Sequence, residues 1–190
     1  MKLAILARGS TLSEFPGNDQ FDEVWGLNRV GETHELDRLF VMDDFKLRLP
    51  HFEGPEFLEW LKTYPGRIIT SKKYDEWPTS EAFPIIETAH YFGLPLGIAM
   101  YSTVDYMLAT AIMEGVDEIH TYGVDCPYKV VTDIVRTSIA VWMGAALARG
   151  ILVTSRYDSF SQWWTHVGLI TEQGLYGYTA KPRIEDLVRS

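Results

Sequence analysis

Short apolar runs that stop at a glycine or a polar residue recur along the first 155 positions, and helical periodicities fill the gaps between them. Residues 2–7 form a continuous apolar run ending at Arg8-Gly9-Ser10, as suits a strand buried on both faces of a parallel sheet. Residues 23–28, 38–43, 67–70, 118–122 and 150–153 read as five further strands, and most of the six end in a small or polar residue: Gly9, Asn28, Asp43, Ser71, Gly123, Thr154. Pro55 suits a first helical position, followed by the stripe Phe57, Leu58, Leu61 and a stop at Tyr64-Pro65-Gly66. Ser102 or Thr103 can cap a second helix, in which Val104, Met107, Leu108, Ala111 and Ile112 repeat at helical spacing up to Gly115. A third helix spans about 132–149, with Val135, Ile139, Trp142 and Ala146 as its buried stripe and Gly150 as its end. Helix–glycine–strand units of this kind predict a single Rossmann-like α/β domain with a mostly parallel sheet flanked by helices. Residues 1–155 carry that pattern. Residues 156–190 read as an aromatic-rich extension of the same domain, in which 174–178 suggest an edge hairpin or a cap and Trp163-Trp164 a hydrophobic cover.

Composition narrows the class. The chain has 190 residues, 46% hydrophobic, enough apolar content for a real core and against intrinsic disorder. Its one cysteine, Cys126, cannot pair within the chain, which points to a reducing compartment. The opening segment is too short in its apolar run for a signal peptide, and no stretch reaches the ~20 apolar residues of a membrane span. The expectation is a cytoplasmic protein. Net charge is −9, divided as −11 over residues 1–128 and +2 over residues 129–190. Duplex nucleic acid, which recruits a basic face, is therefore a poor partner for the first two-thirds. Arg136, Arg149, Arg156, Lys181 and Arg183 form at most a modest basic patch.

Open parallel sheets bind ligands outside the carboxyl ends of their strands, so residues at those ends are the candidates for chemistry. The turn Arg8-Gly9-Ser10-Thr11 can bring backbone N–H groups and hydroxyls to a phosphate, or be a plain strand–helix turn. Asn28 offers a donor and an acceptor to a base or ribose, or serves only the turn. Asp43-Asp44 and Asp125, after Gly123, are carboxylates that could hold a divalent cation such as Mg or position an acceptor. Ser102 and Thr103 sit at a helix start that attracts anions. The five histidines show no zinc spacing, and there is neither a GxGxxG turn, a Walker lysine nor a GxSxG elbow.

The succession Ala7-Arg8-Gly9-Ser10-Thr11-Leu12, Val24-Trp25-Gly26-Leu27-Asn28 and Arg38-Leu39-Phe40-Val41-Met42-Asp43 resembles the opening of a phage-encoded Rossmann-like family. Tyr101-Ser102-Thr103-Val104-Asp105, Tyr122-Gly123-Val124-Asp125 and the stretch from Gly144 to Ile151 continue the pattern. That family is distantly similar to 6-hydroxymethylpterin pyrophosphokinase-like and motility-accessory proteins and to bacterial sialyltransferases. The resemblance implies a nucleotide site made by Gly9, Ser10, Asn28, Ser102, Thr103, Gly123 and Asp125, with Arg136 as a remnant of a downstream motif. The first turn departs from the Gly-x-Gly-Pro-Ser of such relatives.

These readings predict a nucleotide-dependent transferase moving a glycosyl or pyrophosphoryl group, with Asp43 and Asp125 as catalytic or metal-holding carboxylates. Two other classes stay open. One is a non-catalytic protein that sequesters a nucleotide or nucleotide-derived immune signal, in the host cytoplasm if phage-encoded. The other is an interaction module using Trp163, Trp164, Tyr176 and Tyr178, with a homo-oligomer as the default assembly.

Overall fold

The computed structural model describes residues 1–93, 97, 99–125 and 132–155. Seven strands are present: β1 (Lys2–Leu6), β2 (Glu23–Leu27), β3 (Arg38–Val41), β4 (Arg67–Thr70), β5 (Ser80–Ala82), β6 (Glu118–Tyr122) and β7 (Leu152–Ser155). Every pairing is parallel, in the order β5-β4-β3-β2-β1-β6-β7. The fold is thus the Rossmann-like α/β layer expected from the sequence, and its sheet is parallel throughout rather than mostly so. The chain starts at β1, adds strands outward to β5, then returns to lay β6 against the free side of β1. That reversal makes the carboxyl ends of β1 and β6 the topological switch point, where open parallel sheets bind ligands.

Period-two alternation divides the side chains between the two faces. Leu3, Ile5, Trp25 and Phe40 are buried against α4 (Thr103–Glu114) and α5 (Thr132–Leu147), with Met107, Leu108, Ile139 and Trp142 in the same core. On the other face Leu39, Val41 and Ile68 meet Phe57 and Leu61 of α2 (Pro55–Thr63), while Ala4, Leu6 and Val24 lie under Leu12, Phe15 and Phe21. Those last three residues come from the β1–β2 connection, which contains two short 3-10 turns instead of a helix. A four-residue helix, α1 (Leu49–Phe52), precedes α2, and α3 (Ile85–Phe92) precedes α4.

Three strand expectations need correction. β5 was not among the predicted strands: it is three residues long, pairs on one side only, and exposes Glu81 and Ala82, so no apolar pattern marks it. β7 runs two residues later than predicted, because Arg149 and Gly150 N–H groups still close the end of α5 on the Ala146 and Leu147 carbonyls. β3 stops at Val41, short of Asp43. Residues 156–190, and with them the expected extension, its aromatic pairs and the basic residues Arg156, Lys181 and Arg183, lie outside the described residues, as does Cys126.

Candidate functional site

The two turns at the β1 and β6 ends are laced together. Ala7 N–H donates to the Tyr122 carbonyl (2.8 Å) and Gly9 N–H to the Gly123 carbonyl (2.7 Å). Gly123 N–H donates in return to Thr11 Oγ1 (2.9 Å). Asp125, 3% exposed, takes up the rest: its Oδ2 accepts from Ser10 Oγ (2.8 Å) and Thr11 N–H (2.8 Å), and its Oδ1 accepts the Thr11 hydroxyl. Glycine is required at both facing positions. A Cβ on Gly9 would stand 2.5 Å from the Asp125 carboxylate, and one on Gly123, whose φ is +71°, would collide with the Ala7 carbonyl oxygen. The structure thus brings Gly9, Ser10, Gly123 and Asp125 together, with their hydrogen bonds directed mainly at one another.

That arrangement changes what each group can offer a ligand. The Gly9 and Thr11 N–H groups are committed inside the fold, and Asp125 is a turn lock whose two oxygens both accept hydrogen bonds. Asp43 follows β3, which is separated from β6 by β2 and β1, about 14 Å across three strand spacings. The two carboxylates thus belong to different parts of the rim, and among the described residues no three His, Cys, Asp or Glu side chains converge. A divalent cation shared by Asp43 and Asp125 does not fit these residues. Asp43 is half-buried, whereas the adjacent Asp44 Oδ1 accepts the Lys46 (2.8 Å) and Leu47 (3.0 Å) N–H groups. The Lys46 N–H, the Lys72 ammonium and the Leu47 N–H hold the Asp44 carboxyl down at about 2.

Asn28 follows β2 with a left-handed φ of +48°, a conformation asparagine tolerates better than most residues. Its Nδ2 donates to Glu53 Oε1 (3.3 Å), and its Oδ1 is buried without a hydrogen-bond partner. Glu53, whose side chain is 7% exposed, is the functional candidate that sequence reasoning missed. It precedes α2 and gathers Arg8 (Nη1–Oε1, 2.5 Å) and Arg29 (Nε–Oε2, 3.2 Å) as well as Asn28. No linear spacing could have shown it, since its partners follow two different strands, β1 and β2, tens of positions away.

The second wall is the start of α4. Ser102 is the N-cap, as expected, and Thr103 is the first helical residue. Ser102 Oγ accepts the Asp105 N–H (3.4 Å), while Asp105 Oδ2 accepts the N–H groups of Tyr101 (2.7 Å) and Ser102 (2.8 Å) and the Ser138 hydroxyl of α5 (2.9 Å). Asp105 is fully buried and its Oδ1 has no partner. Beside it a groove of about 350 Å³ opens between Tyr101 and the α5 residues Ile134, Ser138 and Val141. Arg136, in the first part of α5, is half-buried and partnered.

Burial pushes the Asp105 carboxyl up from 3.8 to about 6, against the opposing hydrogen bonds from Tyr101, Ser138 and Ser102. A carboxyl with a raised folded pKa binds its proton more tightly in the fold, so its contribution to stability falls as pH rises from about 4 to about 6 and is constant above. The expected size is about 3 kcal/mol at neutral pH. Thermal melts should show wild type losing stability relative to Asp105→Asn across that window; a difference independent of pH would contradict the assignment.

No protein-family model and no curated protein matches the sequence. Solved structures do match. The sialyltransferase CstII from Campylobacter jejuni in complex with the substrate analogue CMP-3FNeuAc aligns at TM-score 0.54 and 14% identity, over 81% of this chain and 80% of that one. The same enzyme in complex with cytidine-5'-monophosphate aligns at 0.53 and 16%, over 82% and 79%. The sialyltransferase CST-II in complex with trisaccharide acceptor and CMP aligns at 0.52 and 15%, over 81% and 80%. At such identities the likeness is one of architecture, and it establishes for this chain a Rossmann-like α/β fold similar to that of a glycosyltransferase.

Proposed function

We propose that this protein is a nucleotide-sugar-dependent transferase whose nucleotide lies along the carboxyl rim, over the β1 and β6 turns. The observation that carries this reading is the pair of glycine turns interlocked at the topological switch point, the place on an open parallel sheet where ligands bind. The architectural likeness to CMP-bound sialyltransferases supports it. In this reading Gly9 and Gly123 let the two turns pack closely beneath the ligand, Ser10 and Thr11 present the turn, Asn28 meets base or ribose, and Ser102 and Thr103 set the helix start opposite. Arg136 adds charge from α5. Glycosyl transfer needs the acceptor hydroxyl oxygen to bond the anomeric carbon as the bond to the nucleotide phosphate breaks. The electron pair leaves with the phosphate and the hydroxyl proton passes to it or to solvent. The protein's contribution is positioning and charge stabilisation. Pyrophosphoryl transfer would use the same rim.

One observation favours a second reading, a protein that binds and sequesters a nucleotide without turnover. The Asp125 carboxylate is fully hydrogen-bonded within its turns, which removes the most plausible rim base. Incubation with a panel of nucleotide sugars and nucleoside triphosphates, followed by mass spectrometry, separates the readings. Release of the nucleotide with glycosyl transfer or hydrolysis is expected for the transferase. Tight binding with the ligand recovered intact supports sequestration, and no binding to any member of the panel overturns both.

A further inference from the structure

Nucleotide phosphates at the β1–β6 switch point meet an electrostatic problem. The buried Asp125 carboxylate lies directly behind the turn, and the Gly9 and Thr11 N–H groups that could have faced an anion are already donating inside the fold. A cation is needed at that rim. We propose that Arg8 is the phosphate-binding residue of this site, resting on Glu53 when no ligand is present and exchanging that carboxylate for a ligand phosphate. The inference rests on the nucleotide reading above and adds to it the class of group recognised.

The case is built on how unequally the two arginines at Glu53 are anchored elsewhere. Arg29 is anchored many times over: to Glu53 Oε2 (3.2 Å) and the Glu53 carbonyl, to both oxygens of Glu32 (2.8 and 2.9 Å) and to Glu56 (2.7 Å), with its guanidinium over the Phe57 ring (5.0 Å). Arg8 has one ion pair, to Glu53 at 2.5 Å, and its side chain is 52% exposed. Removing the sole counterion of a buried carboxylate is costly. Here, departure of Arg8 leaves Glu53 with Arg29 and the Asn28 amide, so the exchange costs little. Arg8 is also the residue immediately before Gly9, so its side chain departs from the turn where phosphate would lie. A guanidinium is suited to the task, since its planar fork matches two phosphate oxygens.

The test is calorimetric titration of the full chain with CMP, UMP, AMP and GMP and with the corresponding nucleosides. Arg8→Gln is expected to weaken whichever monophosphate binds by about 10- to 100-fold and its nucleoside by less than about twofold. Arg8→Lys, which keeps the charge but not the fork, should fall between, and Arg8→Gln should flatten the decline of monophosphate affinity with added salt. Equal weakening of nucleoside and monophosphate, or unchanged monophosphate affinity, overturns the role of Arg8 while leaving the nucleotide reading in place. Absence of wild-type binding to every monophosphate overturns both.

Discussion

Asp125→Ala is expected to destabilise the protein by about 3–5 kcal/mol, lowering the melting temperature by roughly 10 °C for a chain of this size. The reason lies in what the carboxylate holds. It accepts the Ser10 hydroxyl, the Thr11 N–H and the Thr11 hydroxyl at a position that is 3% exposed, and it ties the loop after β6 to the turn after β1. An alanine leaves the part-buried Thr11 N–H unpaired and removes the group around which the turn is wrapped. Asp125→Asn keeps the shape but brings an NH2 against donors, so an intermediate loss is expected. Asp43→Ala, at a half-buried position whose carboxylate ties no turn together, should change stability by no more than about 0.5 kcal/mol. Chemical denaturation of the three variants checks the ordering. Equal effects of Asp125→Ala and Asp43→Ala would remove the lock from the structure, and a fully stable Asp125→Ala that loses ligand would return the carboxylate to direct contact with the ligand.

Gly123→Ala is expected to cost about 3 kcal/mol or more, from two sources. The residue's φ of +71° disfavours any L side chain by about 1–2 kcal/mol. Its Cβ would also press on the Ala7 carbonyl oxygen, backbone that is itself held by the Gly9–Gly123 hydrogen bond and cannot swing aside. Gly115 supplies the control, because its φ is +68° and nothing lies within 4 Å of an added Cβ. Gly115→Ala should therefore show the conformational cost alone. Denaturation midpoints of the two variants isolate the close approach as their difference, and no difference would mean that the β1 and β6 turns do not touch. Because the same approach packs the two turns beneath the proposed nucleotide, Gly123→Ala should also weaken nucleotide binding beyond what its stability loss accounts for.

Much of the fold was legible because local physics and tertiary demand agree along most of the chain. The apolar run of β1 reads as a strand buried on both faces, and Ser102, the stripe of α4 and Gly115 spell a helix from cap to stop. β5 was illegible because an edge strand of three residues needs no buried face. For the site, the sequence placed Gly9, Ser10, Gly123 and Asp125 at strand ends but could not tell a ligand-facing carboxylate from one turned inward. Asp105 shows the same blindness: its helical position looks like an ordinary first-turn acid, and its burial follows from α5 closing over it with Ser138.

The sequence by itself determined the alternation of parallel strands and helices and therefore the rim on which function is sought, since hydrophobic period and capping are properties of neighbours along the chain. Only the tertiary structure decided which rim residues share a partner. Strand order set Asp43 apart from Asp125, and it brought Arg8, Asn28 and Arg29 onto the single buried carboxylate of Glu53. Such pairings join residues tens of positions apart, and hydrogen bonding and charge act through space, where no local pattern records them.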